Sequence, residues 1–266
     1  MNHFPLYRAC SLIAIAGASA LPALASGEAV PACRSVLLHS SPHPPVLVEL
    51  YTSEGCSSCP PADRWLGGLQ ASGLPRKAVL PLAFHVDYWD YIGWQDRFAS
   101  AAYSQRQRAR AALGGAAFVY TPQLLVDGRD NRNWHQGYAA LHAARPARTA
   151  LMQLQLQAAA GGVAVEVDVQ QAGKGQLYLA LYEDKLDSQV KAGENSGLLL
   201  QHHAVVRQLL GPFNPAADGH LHRSVQLAFA PGQKPQYSGV AAWLEDGADG
   251  QVLQALSADC NVVATH

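Results

Sequence analysis

The hydrophobic period of this chain changes once, near Pro146, and that change restricts the fold more than any other feature. Before it, short β-branched or aromatic runs alternate with helix-forming ones. Val46-Leu47-Val48-Glu49-Leu50-Tyr51 reads as a strand, 62–69 as a helix and 78–86 as a second strand. Residues 97–113, rich in Ala, Gln and Arg, read as a helix ended by Gly114-Gly115. A strand over 123–128 runs into an Asp-Gly turn, and 133–144 closes the half as a helix. Strands alternating with helices imply an α/β layer structure. After Pro146 the period is two: Leu154 and Leu156, then Val163, Val165, Val167 and Val169, then Leu177, Leu179 and Leu181. Further strand runs lie at 204–210, 224–230, 239–245 and 251–257, with Gly, Pro and Asp between them. This pattern predicts an antiparallel sandwich. The expected organisation is an α/β domain over 45–146 followed by an all-β antiparallel sandwich domain over 147–266.

The 266 residues contain five cysteines, an odd number for a chain that uses disulfides. The N-terminus accounts for it. Arg8 supplies a positive charge, 11–21 is apolar, and Ala23-Leu24-Ala25 is a small-x-small cleavage site, so 1–25 reads as a secretory signal and 26–44 as an N-terminal segment. The apolar stretch is too short to span a bilayer, and no membrane span is expected after cleavage. Processing removes Cys10 and leaves Cys33, Cys56, Cys59 and Cys260 in an oxidising compartment, periplasmic or extracellular. Lys and Arg number 19 against 20 Asp and Glu, a balance that argues against nucleic acid or an anionic membrane as the main partner.

Gly55-Cys56-Ser57-Ser58-Cys59-Pro60-Pro61 lies directly after the first strand and directly before a helix. Two cysteines three residues apart in such a turn can close a small, reversible disulfide. The unpaired N–H groups of the helix start stabilise a thiolate on Cys56, lowering a thiol pKa from about 8.5 toward roughly 3.5–7.5. In that reading Cys56 attacks and Cys59 resolves. Two other readings stand beside it. A structural metal needs a second Cys or His pair at ligand spacing, and the sequence has no second CxxC or CxxH; an inert disulfide needs nothing further.

The block from Tyr120 to Gly128 resembles the element of the thioredoxin superfamily in which an X-Pro bond, cis and facing the CxxC, presents backbone to a polypeptide substrate. The resemblance assigns that role to Thr121 and Pro122. It also assigns to Glu49 the acid beneath the resolving cysteine that relays a proton, although the spacing from Glu49 to Cys56 is one residue longer than in thioredoxin itself. An ordinary strand-start proline, and a packing role for Glu49, are the alternatives. More specifically, Val48 to Asp63, Phe84-His85-Val86-Asp87-Tyr88-Trp89-Asp90-Tyr91-Ile92-Gly93-Trp94, Gly193-Glu194-Asn195-Ser196-Gly197 and His203-Ala204-Val205-Val206-Arg207 resemble the domain-of-unknown-function 1223 family. That resemblance implies export and a thioredoxin-like α/β domain for the first half, and leaves the substrate open.

His85, Asp87 and Asp90 read either as a metal-binding or acid/base set near the cysteines, or as turn caps inside an aromatic flap of Tyr88, Trp89, Tyr91 and Trp94. Residues 193–197 and Arg207 read either as a sandwich loop held by an Arg207–Glu194 pair or as a loop over the cysteine site. His202-His203 reads as the start of a strand. Cys33 and Cys260, at opposite ends of the mature chain and without a motif, read as a structural disulfide. The expected function is disulfide exchange with protein thiols or disulfides in the export compartment, with the redox-active disulfide in place of a dissociable cofactor. The alternatives are a copper-binding or chaperone-like module with Cu(I) on Cys56, Cys59 and His85, and a non-enzymatic, disulfide-stapled binding protein.

Overall fold

The computed structural model describes residues 1, 33–142 and 145–261. Apart from Met1, the expected signal segment 1–25 lies outside the described residues, as does 26–32 of the segment that follows it. Strands β1 (Val36–His39) and β2 (Val46–Thr52) precede helix α1 (Pro60–Gly67). Strand β3 (Val79–His85) leads through a 3-10 turn (Asp87–Ile92) to α2 (Ala101–Leu113), β4 (Gln123–Val126) and β5 (Arg129–Asp130). The remainder is β6 (Leu151–Ala159), β7 (Gly162–Gln170), β8 (Gly175–Glu183), β9 (Leu186–Gln189), β10 (Leu199–His202), β11 (Val205–Phe213), β12 (Leu221–Ala228), β13 (Ser238–Asp246) and β14 (Val252–Asp259).

Strands β2 and β3 are buried at every position, which explains why they read as continuous apolar runs. β6 and β7 bury mainly alternate residues, in keeping with their period of two. Pro60 and Pro61 occupy the first turn of α1, where N–H groups have no intrahelical acceptor. Ser100 caps α2 by accepting from the Ala102 N–H. The helix expected over 133–144 is instead two 3-10 turns, Trp134–Gln136 and Ala139–His142, separated at Gly137, whose φ of 105° lies outside the helical region.

The expected arrangement of an α/β thioredoxin-like domain followed by a separate sandwich is overturned. Of the described residues, 41% are strand and only 16% helix. Strands from both sides of Pro146 form one eight-stranded mixed sheet in the order β14-β13-β8-β11-β3-β2-β4-β5. β2 and β3 are parallel, with Thr52 opposite His85, while β11 is parallel to β3 on one side and antiparallel to β8 on the other. A second sheet, β1-β6-β7-β12, is antiparallel throughout.

Three apolar clusters show how the layers stack. Met152, Leu154, Leu156 and the β7 valines of the smaller sheet pack on Leu177, Leu179, Leu181, Val240 and Leu244 of the larger one, forming a sandwich that also buries Cys33 and Cys260. The same face of the large sheet is covered further along by α1, through Val48, Leu50, Ala62, Leu66 and Ala83. The opposite face, carrying Leu47, Tyr51, Leu82, Phe84, Tyr182 and Trp243, packs on Tyr103 of α2. The sandwich and the helical layer therefore share one central sheet.

Candidate functional site

The CxxC turn sits where parallel β2 and β3 end, the edge at which crossover folds leave strand ends and a helix start free for chemistry. Cys56 and Cys59 are joined by a disulfide with their Cα atoms 5.4 Å apart. The turn is closed by the Cys56 N–H donating to the Ser53 carbonyl (3.2 Å) and the Cys59 N–H to the Cys56 carbonyl (3.1 Å). The Ser58 hydroxyl lies 3.4 Å from the Cys56 sulfur. Both cysteines are fully buried. Cys33 and Cys260 are also bonded to each other, across 227 residues of sequence.

Side-chain alternation decides which acids meet this turn. On β2, Val48, Leu50 and Thr52 face α1, and Glu49 points to the other face with Leu47 and Tyr51. There its carboxylate accepts from Arg106 Nε of α2 at 2.7 Å. Arg106 also pairs with Glu245 of β13, and Arg110 Nη1 lies 3.1 Å from the same Glu245. Glu49 therefore belongs to a buried ionic cluster on the α2 side of the sheet, away from the face that α1 covers.

The acid on the cysteine side is Asp63, one helical turn after Cys59 and on the same face of α1. Its N–H donates to the Cys59 carbonyl (3.1 Å) and its buried carboxyl accepts from the Thr52 hydroxyl (3.2 Å). Burial pushes the Asp63 carboxyl above its ordinary value, against the opposing pull of His202 and His85. Sequence reasoning passed over Asp63, although its spacing of four from Cys59 was a usable signal.

His85, opposite Thr52 at the end of β3, is fully buried, and its Nδ1 lies 2.6 Å from Asp96 Oδ2. Asp96 also accepts from the backbone N–H groups of Glu54 and Phe98, each at 2.9 Å. Desolvation works against a charged imidazole, but the Asp96 carboxylate outweighs it and raises the His85 pKa; Asp96 is in turn held low by His85 despite its own burial. His202 of β10 lies with its ring centroid 4.9 Å from that of His85, and its Nε2 is 3.3 Å from Glu54 Oε1. Burial alone would raise Glu54, yet bonds from His202, Ser188 and Trp94 bring it below its ordinary value. Glu54, Asp63, His85, Asp96 and His202 form a buried acid–imidazole cluster behind the cysteine turn. The Nε2 of His85 and the Nδ1 of His202 have no hydrogen-bond partner in it.

Asp87 and Asp90 do not join this cluster. Asp87 accepts from the Ser104 hydroxyl of α2 at 2.5 Å, and Asp90 accepts from the Asp96 N–H at 3.2 Å, so both brace the 3-10 turn. The aromatic residues around them line the site. Trp94 Nε1 donates to Glu54 (2.7 Å) and Trp89 Nε1 to the Thr121 hydroxyl (2.7 Å). A Cβ on Gly55 would come 3.2 Å from both Trp89 and Ile92, so glycine lets the turn pack closely against the aromatic segment. Thr121-Pro122 is a cis bond just ahead of Gln123, which pairs with Tyr51, so it stands at the same sheet edge as the CxxC turn. Arg207 pairs with Glu183, and Glu194 instead accepts from the Ser57 N–H at 3.0 Å. Among the described residues no group of three or more His, Cys, Asp or Glu side chains converges to hold a metal ion, so Cys56, Cys59 and His85 are not gathered as a ligand set here. No helix of the described residues is long and apolar enough to cross a membrane.

Two solved structures resemble the chain. A crystal structure of an Agrobacterium tumefaciens protein, 27% identical, matches with a TM-score of 0.61 over 83% of this chain and 96% of its own. HBP35 of Porphyromonas gingivalis, 15% identical, matches with a TM-score of 0.58 over 85% of this chain and 80% of its own, which is a likeness of fold alone. No curated protein matches. The family model "Protein of unknown function (DUF1223)" matches residues 47–245, and the chain belongs to that family.

Proposed function

We propose that this chain is an exported thiol–disulfide oxidoreductase that exchanges disulfides with the cysteines of other proteins through Cys56 and Cys59. The observation that carries this reading is the Cys56–Cys59 disulfide at the start of α1, with the buried carboxyl of Asp63, whose pKa burial raises, one turn beyond it. When the pair acts as oxidant, a partner thiolate attacks the Cys56 sulfur. The partner–Cys56 bond forms as the Cys56–Cys59 bond breaks, and Cys59 leaves with its electron pair and takes a proton from Asp63. A second partner thiolate then attacks the partner sulfur of the mixed disulfide. It releases Cys56 as a thiolate stabilised by the helix start, and the partner departs with one disulfide formed and two electrons transferred. The reverse sequence reduces a partner disulfide. Asp63 takes the proton-relay role expected of Glu49, while Thr121 and Pro122, with the Trp89 indole, form the rim on which a partner segment aligns.

Two disulfides, together with the lack of a long apolar helix among the described residues, are compatible with a periplasmic or extracellular location. The test is expression of Cys59→Ala in the export compartment. The proposal expects mixed disulfides to accumulate on Cys56 and to disappear in the Cys56→Ala, Cys59→Ala double variant. Absence of any adduct at normal expression overturns it.

A further inference from the structure

The cysteine turn is covered by a piece of chain more than 130 residues away in sequence. Among the described residues β9 and β10 pair only with each other, as a two-stranded ribbon outside both larger sheets, and the ribbon's tip lies on the turn. Asn195, 3% exposed, donates from Nδ2 to the carbonyls of Glu54 (2.8 Å) and Cys56 (3.0 Å). Next to it, the exposed Glu194 carboxylate accepts from the Ser57 N–H. The tip is closed on itself by bonds from Val190 N–H to the Leu198 carbonyl and from Gly197 N–H to the Val190 carbonyl, each 2.9 Å. Gly193, at φ +75°, packs where a Cβ would meet Ile92 and Trp94 at 3.3 Å, which seats the tip against the aromatic turn.

We propose that Asn195 and Glu194 are specificity-determining residues that latch the ribbon tip as a lid over the oxidised Cys56–Cys59 pair, and that reduction of the pair loosens the latch. This rests on the exchange reading above. In the oxidised form the turn carries no charge of its own, and Glu194 is the anion at Ser57; the Ser57 hydroxyl and N–H together hold the Glu194 carboxyl below its ordinary value. Reduction by a partner dithiol, which itself becomes a disulfide, breaks the sulfur–sulfur bond and leaves Cys56 as a thiolate and Cys59 as a thiol. The thiolate is a second negative charge one residue from Ser57, drawn to the same helix-start amides, so it repels Glu194 and competes with it. A bulky partner reaches the oxidised pair only through the lid-open population, whereas a small thiol is less restricted.

The test follows reduction of the oxidised full-length protein by dithiothreitol and by reduced thioredoxin as the bulky probe. Asn195→Ala is expected to raise the ratio of the thioredoxin rate to the dithiothreitol rate about tenfold, the size set by losing two hydrogen bonds. An unchanged ratio overturns the lid. Hydrogen exchange of residues 190–198 in the unmodified protein needs no variant: slow exchange when oxidised and faster exchange when reduced supports the coupling, and equal exchange in both states overturns it. In the reduced Cys59→Ser background, Glu194→Gln should move the midpoint of Cys56 alkylation by iodoacetamide to lower pH, less so at high salt. No movement of the midpoint removes Glu194 from the latch. If the trapping experiment finds no partner while these lid measurements succeed, the exchange reading fails and the lid stands.

Discussion

Two buried polar clusters lie on opposite faces of β2, and they are built differently. On the α2 face, Glu49 and Glu245 meet Arg106 and Arg110, two negative against two permanently positive groups. On the α1 face, three carboxyls, Glu54, Asp63 and Asp96, meet the imidazoles of His85 and His202, each with one ring nitrogen that has no partner in the cluster. The first cluster joins β2, α2 and β13 by arginine–carboxylate pairs. The second stands behind the cysteines, where burial raises the Asp63 carboxyl and the Asp96 carboxylate raises the His85 imidazole. An arginine-paired carboxylate is a structural tie, while under the proposed exchange reading a carboxyl whose pKa burial raises, beside a disulfide, serves as the proton source.

Substitutions test this contrast. Cys56→Ala should bring disulfide exchange down to the uncatalysed rate in an assay with a dithiol peptide, the largest effect expected. Arg106→Met leaves the two glutamates with a single cation and should destabilise the fold by about 3–5 kcal/mol, read by denaturant unfolding. Glu49→Gln should likewise lower stability yet leave the exchange rate of the folded protein unchanged; a slowed rate at full folding would erase the distinction between the clusters. Asp63→Asn should slow exchange by about a hundredfold and flatten its pH profile on the acid side, with little loss of fold.

The smallest effect expected is in the pH dependence of stability. His85 has a raised folded pKa, so its pairing with Asp96 contributes fully below the ordinary histidine value of about 6.5 and is lost as pH rises through the raised value. Asp96 is depressed, so its contribution is present above about 3.8 and is lost as pH falls through the lowered value. Unfolding measured from pH 4 to 9 should show a decline on the alkaline side with a slope no steeper than about 1.4 kcal/mol per pH unit. Asp96→Asn should remove that decline, and a slope that survives would place its origin elsewhere.

Much of the local structure could be read from the chain. The strand–turn–helix around Cys56, the start of α1 at two prolines and the two-residue period of β6, β7 and β8 follow from short-range rules. Short strands with weak patterns escaped notice: β1, β9 and β10 have four residues each, too few to display a period. At the site, the identity of Glu49 as a lone acid in an apolar strand was visible, but the face it points to depends on which helix lies on which side. His202 read as a strand start because its partners, Glu54 and the His85 ring, lie far away in sequence. Asp63 was one helical turn from Cys59 and only its burial, supplied by Thr52, the imidazoles and β10, turned a surface-type residue into a candidate acid.

The sequence by itself determined the elements whose causes are local: the cysteine spacing, the helix caps and the alternation of apolar side chains. Tertiary structure decided which strands share a sheet, which acid stands beside the disulfide and what covers the sulfurs. Alternation reports that a strand has a buried face but says nothing about which edge it hydrogen-bonds to. For that reason β11, which joins β3 of the first half to β8 of the second, merges two apparent domains into one sheet. The same long-range folding carries the tip of the β9–β10 ribbon back onto the cysteine turn, so that residues distant in sequence cover a motif whose own geometry is local.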